Sequence, residues 1–75
     1  MGDSALQITV GRADDMDTVV RFFERTAYEI RPVDDETILL RAPGETGAAI
    51  ARREVEIYLG ILERRNPGLM VSLAA

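Results

Sequence analysis

Two clusters of carboxylates are the groups in this sequence whose types and spacing come closest to a metal site. The first lies at Asp14, Asp15 and Asp17, and the second at residues 34–36. Carboxylate oxygens bind hard divalent cations. The first cluster, however, lacks the graded spacing and the closing glutamate of a calcium-binding loop. We therefore interpret it as the N-terminal cap of a helix and the second as a solvated hairpin turn.

The residue types that are missing exclude most catalytic chemistry. The chain has no cysteine, histidine, tryptophan or lysine, so all nine of its cationic side chains are arginines. Disulfides, thiolate chemistry, a histidine base, a lysine Schiff base and metal sites of Cys or His are thereby excluded. Acid–base chemistry would fall to Asp, Glu or Tyr. We predict a protein that is not an enzyme and that carries no metal or cofactor.

The charge balance bears on the class of partner. Nine positive side chains against thirteen negative ones leave a formal charge of −4 over 75 residues. A net negative charge argues against a nucleic-acid partner. The sequence holds no apolar run long enough to cross a membrane and no signal-peptide pattern. A cytoplasmic protein without a membrane partner is the expectation.

The spacing of apolar residues predicts six elements in one domain that spans residues 1–75. Alternation of apolar and polar residues indicates strands, and apolar spacing near 3.6 residues indicates helices. Residues 1–5 are expected to be a disordered tail. The predicted elements, in order, are a strand at 6–10, a helix at 15–26, a hairpin of strands at 28–31 and 37–42, a helix from the N-cap Thr46 to Arg65, and a strand at 69–73.

This order of elements predicts the fold class. The order strand, helix, strand, strand, helix, strand resembles that of ferredoxin-like α+β proteins. The resemblance implies a four-stranded antiparallel sheet in the order 4-1-3-2, and right-handed crossovers put both helices on one face of it.

The second helix carries more apolar surface than a single face can hide. When the residues of this helix are placed on a helical wheel at about 100° per residue, one apolar arc of the wheel faces the sheet. That arc comprises Ala48, Ala51, Val55, Tyr58, Leu59 and Leu62. Ile50, Ile57 and Ile61 form a separate narrow line, the isoleucine stripe. The first helix could cover the stripe, with Phe22 reaching across. Alternatively, the stripe is exposed and binds a second copy or a protein partner.

The outer face of the predicted sheet is the second candidate surface. Its apolar points are Leu39 and Met70, and Arg31 and Arg41 would supply polar contacts at the rim. A solvated sheet face is the alternative. From these two surfaces we predict a protein-interaction module that forms a homodimer or docks on a protein partner.

A small-ligand regulatory domain is the rival prediction. The order of elements and the length resemble those of ACT-type regulatory domains. The resemblance implies a ligand site at a subunit boundary, near a glycine-containing turn after the first strand. Gly11 and Arg12 occupy that place in this sequence.

Overall fold

The computed structural model describes residues 5–74, which form one antiparallel sheet and two helices on one of its faces. The elements are β1 (Ala5–Val10), α1 (Met16–Glu24), β2 (Glu29–Pro32), β3 (Thr37–Arg41), α2 (Ala48–Arg65) and β4 (Val71–Leu73). A short 3₁₀ turn, Ala13–Asp15, leads into α1.

The sheet has the predicted topology. Its strand order is β2-β3-β1-β4, which is the expected 4-1-3-2 order in reverse. β1 lies in the centre and pairs antiparallel with both β3 and β4. Alternation along each strand sends apolar side chains to the helix side, where Ile8 lies opposite Ile38. The protein therefore has the ferredoxin-like α+β fold.

The core lies between the inner face of the sheet and the two helices. Ile8, Ile38 and Leu40 line it from the sheet, and Phe23 fills the centre; all four side chains are fully buried. From α2 the core receives Ala51, Val55, Leu59 and Leu62. The predicted sheet-facing arc is thus confirmed for these four residues, whereas Tyr58 is half-buried and Ala48 is exposed in the first turn of the helix.

Both helices are shorter than predicted, for reasons that involve side-chain hydrogen bonds. α1 ends at Glu24 because Thr26 Oγ1 donates to the Phe23 carbonyl oxygen at 2.7 Å, which closes the last turn. The N-cap of α2 is Gly47 and not Thr46. Thr46 Oγ1 donates instead to the Pro43 carbonyl oxygen at 2.8 Å, so this hydroxyl stabilises the preceding turn.

The strand boundaries also differ by a few residues. β4 begins at Val71 rather than at residue 69, because the Leu69 N–H donates to the Asn66 carbonyl oxygen in the turn after α2. Of the predicted tail, residues 1–4 lie outside the described residues. Ala5 belongs to β1 and pairs with Arg41.

Tyr28 connects the start of β2 to α2. Its ring is buried, and its hydroxyl donates to Glu54 Oε1 at 2.7 Å. Burial raises the pKa of Tyr28 well above its usual range, and the hydrogen bond to Glu54 and the charge of that carboxylate raise it further. The interaction therefore requires the neutral phenol.

This pKa shift predicts a loss of stability at high pH. An unfolded tyrosine ionises near pH 10, whereas folded Tyr28 does not, so stability falls as the pH rises above about 10. Tyr28→Phe is expected to cost about 1 kcal/mol at neutral pH and to reduce this fall. Urea unfolding at about pH 8 and about pH 11 measures both effects. Equal losses in the variant and the parent protein would contradict the prediction.

Candidate interaction surfaces

The isoleucine stripe lies on the side of α2 that points away from the sheet. Ile50 is 60% exposed and Ile57 is 58% exposed, while Ile61 is half-buried. Successive stripe residues fall within about 40° of one another around the helix axis. Two of the three predicted residues are thus exposed on the same line of α2, two turns or about 10 Å apart, and the third is half-buried one turn further on.

Charged side chains border the isoleucine stripe on both flanks. Arg53 and Arg64 lie along one flank and are exposed. Glu54 and Arg65 lie along the other, and Glu54 accepts the hydrogen bond from Tyr28. Three arginines and one glutamate make the rim of the stripe cationic, although the whole chain has a formal charge of −4.

Helix α1 leaves the stripe exposed. Phe22 does turn toward α2, but its ring meets Tyr58 edge-on, with ring centroids 5.8 Å apart. Tyr58 also packs edge-on against Phe23, again at 5.8 Å. The aromatic rings therefore fill the space between the two helices beside the stripe. Of the two alternatives, cover by α1 with Phe22 reaching across is wrong for Ile50 and Ile57, which are exposed.

A basic groove adjoins the C-terminal end of the stripe. This arginine groove lies between α1 and α2 and has a volume of about 280 Å³. It is lined by Thr18, Arg21, Phe22, Arg25, Leu62, Arg65 and Asn66. Arg21 forms an ion pair with Asp17 of the same helix, with Arg21 Nε 3.2 Å from Asp17 Oδ2. Sequence reasoning missed this groove, because arginines in the last turn of a helix are also explained by the helix dipole.

The outer face of the sheet is a separate surface on the opposite side of the molecule. Its register places Arg31 directly opposite Leu39, and Leu39 directly opposite Gln7. Arg41 lies opposite both Glu29 and Ala5 in the next row. A shallow concavity of about 450 Å³ runs across these rows beside the half-buried Leu39. Arg31 and Arg41 therefore lie far from the isoleucine stripe.

The two apolar points of this outer face do not merge. Leu39 pairs with Gln7 of β1, whereas Met70 lies beside Gly11. Gly11 comes four residues after Gln7 in the chain. At about 3.3 Å per residue, this difference separates the two rows by about 13 Å. Met70 is 62% exposed. The face consists of polar side chains with two isolated apolar ones, which weakens it as a docking platform.

Gly11 has a packing role at the end of β1. Its N–H donates to the Met70 carbonyl oxygen at 2.6 Å. A Cβ at position 11 would lie 2.8 Å from Met70 Cβ and 3.3 Å from the Met70 carbonyl oxygen. The close approach of the chain before β4 thus accounts for the glycine. Arg12 is exposed. Ligand binding by Gly11 and Arg12 stays a prediction, which melting temperatures with small anionic metabolites would measure.

The packing at Gly11 predicts opposite effects for two glycine substitutions. Gly11→Ala should destabilise the protein by about 1–3 kcal/mol, because the backbone at Met70 must move. Gly60→Ala is the matched control in α2, where the new Cβ would meet nothing within 4 Å. It should stabilise the protein by about 0.5–1 kcal/mol. Denaturant midpoints of the two variants check the prediction, and a neutral Gly11→Ala would contradict it.

The charged side chains of the described residues lie at the surface, whereas the titratable phenol of Tyr28 is buried. Among residues 5–74 there is no buried charged side chain and no group of three carboxylates that could hold a metal ion. Asp34 accepts a hydrogen bond from the Glu36 N–H at 2.8 Å, which lowers the pKa of this exposed carboxyl. That contact fits the predicted hairpin turn. The described residues also include no helix that is long and apolar enough to cross a membrane.

Comparison with protein-family models, with curated proteins and with solved structures gave no match. What defines the class of this protein is therefore its own geometry: a ferredoxin-like α+β domain with an exposed isoleucine stripe on its second helix.

Proposed function

We propose that this protein is a non-catalytic interaction module whose isoleucine stripe binds an amphipathic helix with acidic flanks on a partner protein. The observation that carries the proposal is the exposure of Ile50 and Ile57, at 60% and 58%, on one line of α2. Burying an isoleucine stabilises an association by about 1.5–3 kcal/mol. A partner helix gains this energy by laying its apolar seam along the stripe.

The charges around the stripe support the acidic character of the partner. Arg53, Arg64 and Arg65 border the isoleucines, and the arginine groove extends the same charge toward α1. A partner with glutamates beside its apolar seam would meet these guanidinium groups at both flanks. Two copies packed stripe to stripe would instead bring arginines of both rims together. The partner helix is therefore a segment of a different protein.

The distribution of carboxylates supports a non-catalytic role. A carboxylate acts as a general acid when burial or a like charge in a closed pocket raises its pKa. The acidic residues of the described chain lie in turns, in the segment that leads into α1, on exposed helix faces and, for Glu29, on the edge strand β2. The cytoplasmic location expected from the sequence stays a prediction.

A pair of designed peptides tests the proposal. Both are helical with the same isoleucine and leucine seam, but one carries glutamates and the other lysines at the flanking positions. Fluorescence anisotropy of the labelled peptides should give at least about tenfold tighter binding for the glutamate peptide at low salt. The preference should shrink as salt is added. Equal binding of the two peptides, or no binding of either, would refute the proposed partner chemistry.

A further inference from the structure

The outer edge of β4 is an unpaired strand edge. On its inner side β4 bonds to β1, with the Gly11 N–H donating to the Met70 oxygen and the Ala74 N–H donating to the Gln7 oxygen. Backbone groups alternate along an antiparallel ladder, so those of residues 70, 72 and 74 face β1. The N–H and C=O groups of Val71 and Leu73 therefore face outward. Within residues 5–74 no strand pairs with this edge.

The opposite edge of the sheet, at β2, carries proline and charge against pairing, whereas the three-residue β4 carries neither. β2 contains Pro32, which has no N–H, and the charged residues Glu29 and Arg31. Proline and charge on an edge strand prevent association with other strands. β4 has the sequence Val71-Ser72-Leu73, with neither proline nor charge, and its Val71 and Leu73 side chains are only half-buried.

We propose that β4 pairs antiparallel with β4 of a second copy, which joins two sheets into one of eight strands. With Ser72 on the two-fold axis, Val71 of each copy lies opposite Leu73 of the other. Each of these two residues offers one donor and one acceptor at the edge, so the pairing forms four hydrogen bonds. The inner-face side chains of Val71 and Leu73 then cover one another across the axis.

Charged residues on the flank of α2 next to β4 favour a second copy of this chain as the partner that pairs with the β4 edge. Arg52 lies on this flank, on the side of α2 away from α1, and its Nη1 donates to the carbonyl oxygen of Ala74, just past the end of β4, at 3.0 Å. Glu56 lies one turn further on the same flank, 3.7 Å from Arg52 Nε. A two-fold axis through Ser72 brings the two α2 helices together antiparallel, with opposite charges available on both sides. Glu63, seven residues beyond Glu56, lies on the same flank beside Val71 and Ser72. The flank therefore presents an arginine and two carboxylates to the second copy, unlike the mainly cationic rim of the isoleucine stripe.

This dimer leaves both isoleucine stripes exposed. The stripe lies about 160° around α2 from Arg52, so pairing at β4 does not cover it. Both stripes would lie on the helix side of the joined sheet. A dimer of this kind would bind two partner helices and would gain avidity for a partner that carries two of them. The inference does not depend on the proposed partner chemistry of the stripe.

Sedimentation velocity over about a hundredfold range of protein concentration tests the pairing. A monomer–dimer equilibrium is expected. Leu73→Pro removes one outward N–H and should raise the dimer dissociation constant at least about tenfold. Ile57→Glu, on the stripe, should leave it unchanged. A chain that stays monomeric at all concentrations, or a dimer that Ile57→Glu abolishes, would overturn the proposal.

Amide hydrogen exchange keeps the test independent of how well the proline variant folds. In the parent protein, the Val71 and Leu73 amides should exchange at least about tenfold more slowly at high concentration than at low concentration. The Ser72 amide faces β1 and serves as the internal reference, with protection that does not depend on concentration. A dimer whose Val71 and Leu73 amides exchange as fast as in the monomer would exclude β4 as the interface.

Discussion

Ile57→Glu is expected to lower the affinity for the glutamate-flanked helix at least about tenfold, while the folded structure is retained. Ile57 is 58% exposed in the middle of the isoleucine stripe, so its side chain contributes little to the core of the monomer. In a complex, the substitution removes an apolar contact and forces a carboxylate to lose water beside an acidic partner. The melting temperature should change by only a few degrees, because the site is on the surface.

Val33→Glu is the matched control for this substitution. Val33 is 55% exposed at the β2–β3 turn, away from α2, so the control adds the same charge at a comparably exposed apolar site. Its affinity for the peptide should stay within about twofold of the parent value. Equal weakening by both variants would show that net charge controls binding. An Ile57→Glu protein that unfolds would show that the stripe belongs to the core of the monomer.

Phe23→Ala is expected to destabilise the protein by about 3–5 kcal/mol, the largest effect of any single substitution considered. Phe23 is fully buried and packs edge-on against the rings of both Phe22 and Tyr58. The alanine leaves a cavity where the sheet and both helices meet. At about 0.05–0.15 kcal/mol per residue, a domain of 75 residues has a total stability of about 4–11 kcal/mol, so the variant should lose a large fraction of it.

Phe22→Ala separates the contribution of the core from that of the contact between the helices. Phe22 is half-buried, and its ring reaches Tyr58 from the side of α1. Its loss should cost about 1–2 kcal/mol, less than the loss of Phe23, because part of the cavity opens to solvent. Guanidinium unfolding of both variants measures the difference. Equal losses would contradict the central position of Phe23 in the core.

Local patterns in the sequence identified the elements, and the resemblance of their order to ferredoxin-like proteins supplied the strand order of the sheet. Strict alternation at residues 6–10 and the 3.6-residue spacing from Met16 to Phe23 identified β1 and α1 without tertiary information, because each pattern directs one face of its element to the core. The right-handed crossover rule then left one arrangement of helices over the sheet. Patterns of this kind do not mark where an element ends. Thr46 showed this, since its hydroxyl bonds to Pro43 in the turn and Gly47 caps α2.

The candidate surfaces were only partly accessible to sequence reasoning. The isoleucine stripe was recognised from the wheel of α2, but the arginine groove was not, since it combines Arg21 and Arg25 of α1 with Arg65 of α2. The outer sheet face was predicted as one mixed surface, and only the strand register separates Leu39 from Met70. Register depends on pairing between distant segments, which no local pattern records.

The sequence by itself determined which residues of α2 could be apolar and exposed, and only the tertiary structure decided that Ile50 and Ile57 are exposed. The reason lies in the positions of the two helices. Both helices lie on the same face of the sheet, and α1 contacts α2 at Tyr58 through Phe22 and Phe23. The isoleucine stripe is on the side of α2 that points away from the sheet, so a helix in the same layer does not cover it.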